Sequence, residues 1–162
     1  MKDSPLAYFL VGMACTIAIV NWVIAPRITS LFPKQVASFE AGSVKVNDTD
    51  YAVLIAETNL QQSQGLSGQS LGTFEYEGMY FDFDTTEERT FWMKDMLFAL
   101  DIFWIRDGVI VKHEANIQIP QEGEEPRTMV SDPEATDAVL EMPAGSAERL
   151  DINVGDTVVR NF

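Results

Sequence analysis

Charges set inside the most apolar stretch of the downstream chain are the first candidates for chemistry. Within Phe91 to Ile105, FWMKDMLFALDIFWI, the charged residues Lys94, Asp95 and Asp101 sit among aromatic and large aliphatic side chains. An unpaired charge buried in such company costs several kcal/mol, so each needs a partner or a cleft to face. Strand alternation puts Asp101 on the face that carries Phe103 and Ile105, where an ionised carboxyl needs a cation such as Lys94 beside it. Lys94 and Asp101, with Trp92 close by, are therefore expected to line a ligand cleft. The competing expectation is a closed structural pair that only holds the fold together.

A second chemistry is soft-metal binding. Met93 and Met96 flank the same motif, with Met79, Trp92, Trp104 and His113 as possible neighbours, and thioethers select Cu(I). Methionine is also the usual filler of irregular cores, so no cofactor is expected and copper is the alternative.

Catalytic patterns are otherwise sparse. Ser67 in Gly65-Leu66-Ser67-Gly68 resembles a nucleophile elbow, but Gln69 stands where the second glycine belongs, and His113 is the only histidine. Asp95 and Asp101 on one extended strand would lie about 20 Å apart, beyond the ~5–9.5 Å that paired glycosidase carboxyls use. Asp82 and Asp84 fit that range at about 7 Å, yet a solvated strand face explains them more simply. Asp151 to Asp156 lacks the spacing and terminal Glu of a calcium loop. No phosphate-binding loop or dinucleotide fingerprint occurs.

The elements that must position these residues read mainly as short strands. Ser43–Val46 and Tyr51–Glu57, joined by the turn residues Asn47 to Asp50, predict a hairpin. Thr58 with Gln61 forms a capping-box pattern, and Gly65 ends the short helix that it starts. Gly78 to Asp84 alternates, with Met79, Phe81 and Phe83 on one face and Tyr80, Asp82 and Asp84 on the other. Arg89–Lys94, Leu100–Ile105 and Val109–His113 continue the β pattern, the last two joined at Asp107-Gly108. Residues Glu114 to Asp137 form a polar, proline-bearing excursion with a short strand at Thr128–Val130. Ala138–Met142 returns to strand, Ser146–Leu150 to a helical turn, and Thr157–Asn161 is a last strand. An all-β domain with one or two short helices follows, a β-sandwich or barrel.

The N-terminus differs in kind. Leu6 to Ala25 is an unbroken apolar run of about the twenty residues a membrane-spanning helix needs. Tyr8 and Trp22 stand near its ends and Pro26 closes it. A cleaved signal peptide usually has a shorter apolar region and small residues before the cut, so a retained single-pass anchor is the expectation. The division is then an anchor over residues 1–25, a tether over 26–41 and a β-sandwich domain over 42–162. The flanking charges give little topological bias, and a short basic head favours an extracytoplasmic domain. Cys15 is the one cysteine, which excludes a disulfide framework or a cysteine metal site within one chain.

The whole chain carries 11 Lys and Arg against 25 Asp and Glu. Setting aside Lys2, Asp3, Arg27 and Lys34 leaves 8 against 24, a net charge of −16 over residues 35–162. Such a surface repels phosphate backbones, so no nucleic-acid partner is expected.

GMYFDF, FWMKDM followed by LDIFWI, then VLEMPAG and INVGDTV resemble, in order and spacing, the prokaryotic domain of unknown function 192 family across most of Val53 to Val159. The resemblance implies a compact β-sandwich of jelly-roll type, often exported or membrane-tethered, with no established activity. Where that family often has a Glu- and Arg-rich helix ending in GLM, this chain has Gln61, Gln62 and Gln64, then Gly65-Leu66-Ser67. An anion site resting on those arginines is therefore not expected here. The expectation is a membrane-tethered module that binds a small ligand or an envelope component through Trp92, Lys94, Asp101, Trp104 and Glu141. The alternatives are a carboxylate-assisted glycan hydrolase and a copper domain using Met93 and Met96.

Overall fold

Turn chemistry sets the first pairing. Asn47, at φ 51°, helps reverse the chain between β1 (Glu40–Val46) and β2 (Thr49–Ala56), which pair antiparallel from Glu40↔Ile55 to Val46↔Thr49. In this computed structural model the described residues are 36–131 and 135–162. The apolar run Leu6 to Ala25 lies outside them, as does most of the expected tether. Among the described residues no helix is long and apolar enough to cross a membrane. The strand β1 starts at Glu40, two residues inside the segment expected to be tether.

After β2 the capping box forms as its pattern requires. The Thr58 hydroxyl accepts from the Gln61 amide, and the Gln61 side chain accepts from the Thr58 amide at 2.9 Å, opening α1 (Asn59–Gln64). Gly65 ends the helix at φ 52° and ψ −140°, a positive φ but not the left-handed helical pair expected of it. Gln62 donates to the Asp82 carbonyl at 2.7 Å and so ties α1 to β3 (Gly78–Glu87).

The crossover through α1 lets β2 and β3 pair in parallel, and it keeps the main strands in one sheet. The remaining strands are β4 (Thr90–Trp92), β5 (Leu100–Arg106), β6 (Val109–Ile117), β7 (Thr128–Val130), β8 (Thr136–Pro143) and β9 (Val158–Arg160), with α2 (Ser146–Leu150) between the last two. Seven form a sheet in the order β6-β5-β8-β3-β2-β1-β9, and β4 pairs with β7 as a separate ribbon. The sheet curls until its edges meet, where Val109 bridges Thr157 and the Ile110 amide donates to the Asp156 carbonyl at 2.9 Å. Two stacked sheets of jelly-roll type are thus not what forms. The fold is a mostly β, half-barrel-like curled sheet with a ribbon and two short helices.

Each face of the sheet has its own core. The enclosed face gathers residues from all seven strands, among them Val44, Val53, Tyr80, Phe103, Leu140 and Val158. The opposite face carries Met79, Phe81, Ile102, Trp104 and Val139, covered by Leu66 and by Met93 and Met129 from the ribbon side. Tyr80 is therefore buried, although alternation had placed it on a solvated face. A central strand that pairs in parallel needs cover on both sides, and β3 has it.

Candidate functional site

Glu141 is the one carboxyl that the covered face cannot explain. It lies in β8 opposite Met79 on one side and Ile102 on the other, so both strand neighbours are apolar. Alternation puts its side chain with Val139, toward the layer formed by α1 and the ribbon. The β3 backbone comes so close here that a Cβ on Gly78 would stand 2.3 Å from the Glu141 carbonyl oxygen. Only glycine fits that approach.

The carboxyl opens into a narrow recess rather than into the core. With Glu141 at its floor, the recess is walled by Gln62, Leu66, Phe81, Phe91 and Trp92 and holds about 20 Å³, room for one water. Gly65 leaves this space open, since a Cβ there would sit 3.9 Å from a Glu141 oxygen and 3.3 Å from the Phe81 ring. Gln62, Ser63, Phe91 and Trp92 also line a wider cavity of about 500 Å³, bounded by Asn59, Phe83 and Arg89. Recess and cavity share these four residues and lie side by side between α1 and β4, and the two are together called the cleft.

Electrostatically the floor is unbalanced. Glu141 is 4% exposed, and among the described residues no hydrogen bond or ion pair reaches its carboxyl. Burial alone pushes its pKa up to about 8, so at neutral pH it carries a proton. The cation at the cavity wall is committed through its terminal nitrogens, while its Nε is buried without a hydrogen-bond partner. Arg89 pairs with Glu87 at 2.7 Å, donates to the Thr85 hydroxyl at 3.0 Å and carbonyl, and lies 4.0 Å over the Phe83 ring. The glutamines of α1 are neutral and serve the backbone, Gln61 at Ser38 and Gln64 at Ala37. A protonated carboxyl between aromatic walls can donate a hydrogen bond to a ligand, or give up its proton to face a cation.

Of the residues expected from sequence, Trp92 and Glu141 meet in this cleft. Lys94 is exposed, with its ammonium 5.3 Å from the centre of the Trp92 ring. Asp101 is not brought to Lys94. It lies on the enclosed face opposite Met142, fully buried, and accepts from the Asn116 amide at 2.7 Å and the Ala147 amide at 2.8 Å. Register explains the first bond. Leu100 faces Ile117 and Ile102 faces Glu114, so Asp101 meets a bulge at Ala115 and Asn116, with Asn116 at φ 55°.

Trp104 is wholly buried, its ring meeting Phe91 edge-on at 5.3 Å with Lys112 5.7 Å above. Met93 and Met96 pack in the apolar core of the covered face. No group of three or more His, Cys, Asp or Glu able to hold a metal occurs among the described residues. Ser67 donates to the Lys94 carbonyl at 2.8 Å, His113 packs 5.9 Å from Phe103, and Asp82 pairs with Arg160. Phe91, Gln62 and Arg89 also line the cleft and were not among the residues expected from sequence. Phe91 alternates with exposed Trp92 and could have been read inward, whereas nothing in the sequence brings α1 to β4.

The model of the family DUF192, described as an uncharacterized ACR, matches residues 42–160. Two solved structures are similar to this chain. One is a crystal structure of a putative transcription regulator from Sinorhizobium meliloti 1021, with 28% identity and TM-score 0.67, covering 78% of this chain and 98% of that one. The other, a protein of unknown function from Novosphingobium aromaticivorans DSM 12444, has 27% identity and TM-score 0.61, covering 79% and 99% respectively. No curated protein matches.

Proposed function

The chain belongs to the DUF192 family, whose function is not established, and on that premise we propose that it is a small-ligand-binding module whose site is the cleft between α1 and β4. The observation that carries this reading is the Glu141 carboxyl, buried without a partner at the floor of an aromatic recess. A carboxyl desolvated this far and given no protein donor leaves hydrogen-bonding capacity that a ligand can take up. Trp92 at the mouth, 54% exposed, supplies a broad contact surface beside Phe91. The occupant is a free small molecule or a projecting group of an envelope component, with the domain held outside the membrane by the apolar run Leu6 to Ala25.

One structural neighbour is described as a putative transcription regulator. A nucleic-acid role does not fit here, because residues 35–162 carry a net charge of −16 and repel phosphate backbones. A hydrolase acting on glycan is the second reading. Glu88 also lines the outer cavity, and a carboxyl whose pKa stands near 8 suits a general acid.

Indole N–H signals in nuclear magnetic resonance test the main reading. In a fragment screen the Trp92 signal should move while that of buried Trp104 stays fixed, and Trp92→Ala with Glu141→Gln should abolish the response. Ligands that shift Trp104 or surface amides and leave Trp92 unmoved would remove the cleft assignment. Glycan cleavage lost in Glu141→Gln would favour the hydrolase.

A further inference from the structure

We propose that the cleft takes a primary ammonium group, seated against the Glu141 carboxyl between the rings of Phe81, Phe91 and Trp92, on an alkyl chain that runs out along the larger cavity. This rests on the cleft being the binding site, and it names the class of ligand.

Three features converge on a cation. The recess brings one carboxyl together with three aromatic side chains, a low-dielectric lining in which a carboxylate–ammonium attraction is strong. No positive group among the described residues pairs with the Glu141 carboxyl, and exposed Lys94 lies 5.3 Å from the centre of the Trp92 ring at the wall. From the elements packed around Glu141, α1 offers Gln62 and Gln64, β3 offers Phe81, β4 offers Phe91 and Trp92, and β5 offers Ile102, none of them charged. The ionised groups of the outer cavity are Glu88 and Arg89, and Arg89 is held by Glu87 and Phe83. The third feature is the acidic field of the domain, which concentrates cations at its surface.

Size narrows the class further. A recess of about 20 Å³ admits a group near the size of one water, which suits a primary ammonium and excludes a trimethylated one. The three N–H donors of such a group satisfy both carboxyl oxygens. Its alkyl chain then lies against Phe83, Phe91 and the Trp92 ring in the wider cavity.

Proton balance follows from the chemistry. Near neutral pH the free protein holds its proton on Glu141, so binding the ammonium form expels that proton to solvent and leaves a carboxylate–ammonium pair. Apparent affinity should rise about tenfold per pH unit from pH 6 toward pH 8, then level off until the amine itself loses its proton near ~10.4.

Calorimetric titration of the full chain with butylammonium, in phosphate and in HEPES at pH 7, tests this. The dependence on buffer ionisation heat should report nearly one proton released. Butanol and tetramethylammonium should each bind at least tenfold more weakly, and Glu141→Gln should lose at least tenfold for butylammonium. A blocked lysine amide serves as a parallel probe: binding tighter than butylammonium assigns the site to a protein side chain, and weaker binding assigns it to a free amine. Equal binding of butanol and butylammonium, or no proton release, overturns the proposal. If both then move the Trp92 indole signal, the cleft reading stands and only the ammonium falls; if neither moves it, the cleft reading falls as well.

Discussion

Asp101 and Glu141 are both carboxyls sunk in the same sheet, on neighbouring strands and opposite faces, and their surroundings differ. Asp101 sits on the enclosed face, where two backbone amides, one from a bulge in β6 and one at the start of α2, donate to its two oxygens. Glu141 sits on the covered face, with apolar residues across both strand pairings and a recess in front of it. One carboxyl is a structural fastener and the other is left open. Burial alone does not mark a functional acid; the donors that reach it decide.

The largest expected effect strikes the fastener. Asp101→Ala leaves two partly buried amides without an acceptor and should cost about 2–6 kcal/mol in urea unfolding, at about 1–3 kcal/mol for each unmade bond. Glu141→Gln should leave stability at pH 7 unlowered. If the costs were reversed, the comparison would be wrong.

A pH series sharpens the contrast. The folded pKa of Glu141, about 8, stands above the 4.5 of an unburied carboxyl, so the native state holds the proton more tightly. The stability this contributes is complete below the unfolded value and is lost as pH rises through the folded one. Between pH 5 and pH 9 the protein should lose about 3–5 kcal/mol from this group, and Glu141→Gln should remove that slope. A slope that survives in the variant would have to come from other groups.

A smaller effect is expected where β3 meets β8. Gly78→Ala sets a methyl into the Glu141 carbonyl and should cost about 1–3 kcal/mol by thermal melting, as overpacking does. An unchanged melt would show that the strands can separate there, and the floor of the cleft would then be less fixed than Glu141 requires.

Much of the fold was legible because local chemistry and fold agree. Thr58 with Gln61, Asn47 with Asp48, and Asp107 with Gly108 each act within a few residues, and each marks an element end that forms. The two-sided burial of β3 was not legible, because Tyr80 reads as half-exposed until β2 pairs in parallel beside it. Glu141 and Trp92 were among the expected site residues, and the cleft brings them together. Asp101 lies on the face that alternation gave it, with Phe103 and Ile105, but its partners differ for a physical reason. Its partners are the backbone amides of Asn116 and Ala147, 15 and 46 residues away, and a backbone amide has no sequence signature. The Lys94–Asp101 pairing assumed that a buried carboxyl must find a charged side chain, and here two backbone N–H groups take its two oxygens.

The cleft depends most directly on Glu141 holding its proton at neutral pH. Carbon-13 resonances of glutamate side-chain carboxyls, followed from pH 4 to pH 10 in the full chain and in Glu141→Gln, read this directly. One resonance, absent from the variant, should titrate near pH 8 and shift its midpoint downward when butylammonium is added. A Glu141 resonance that titrates near the ordinary 4.5 would contradict the unpartnered, buried carboxyl on which the cleft depends.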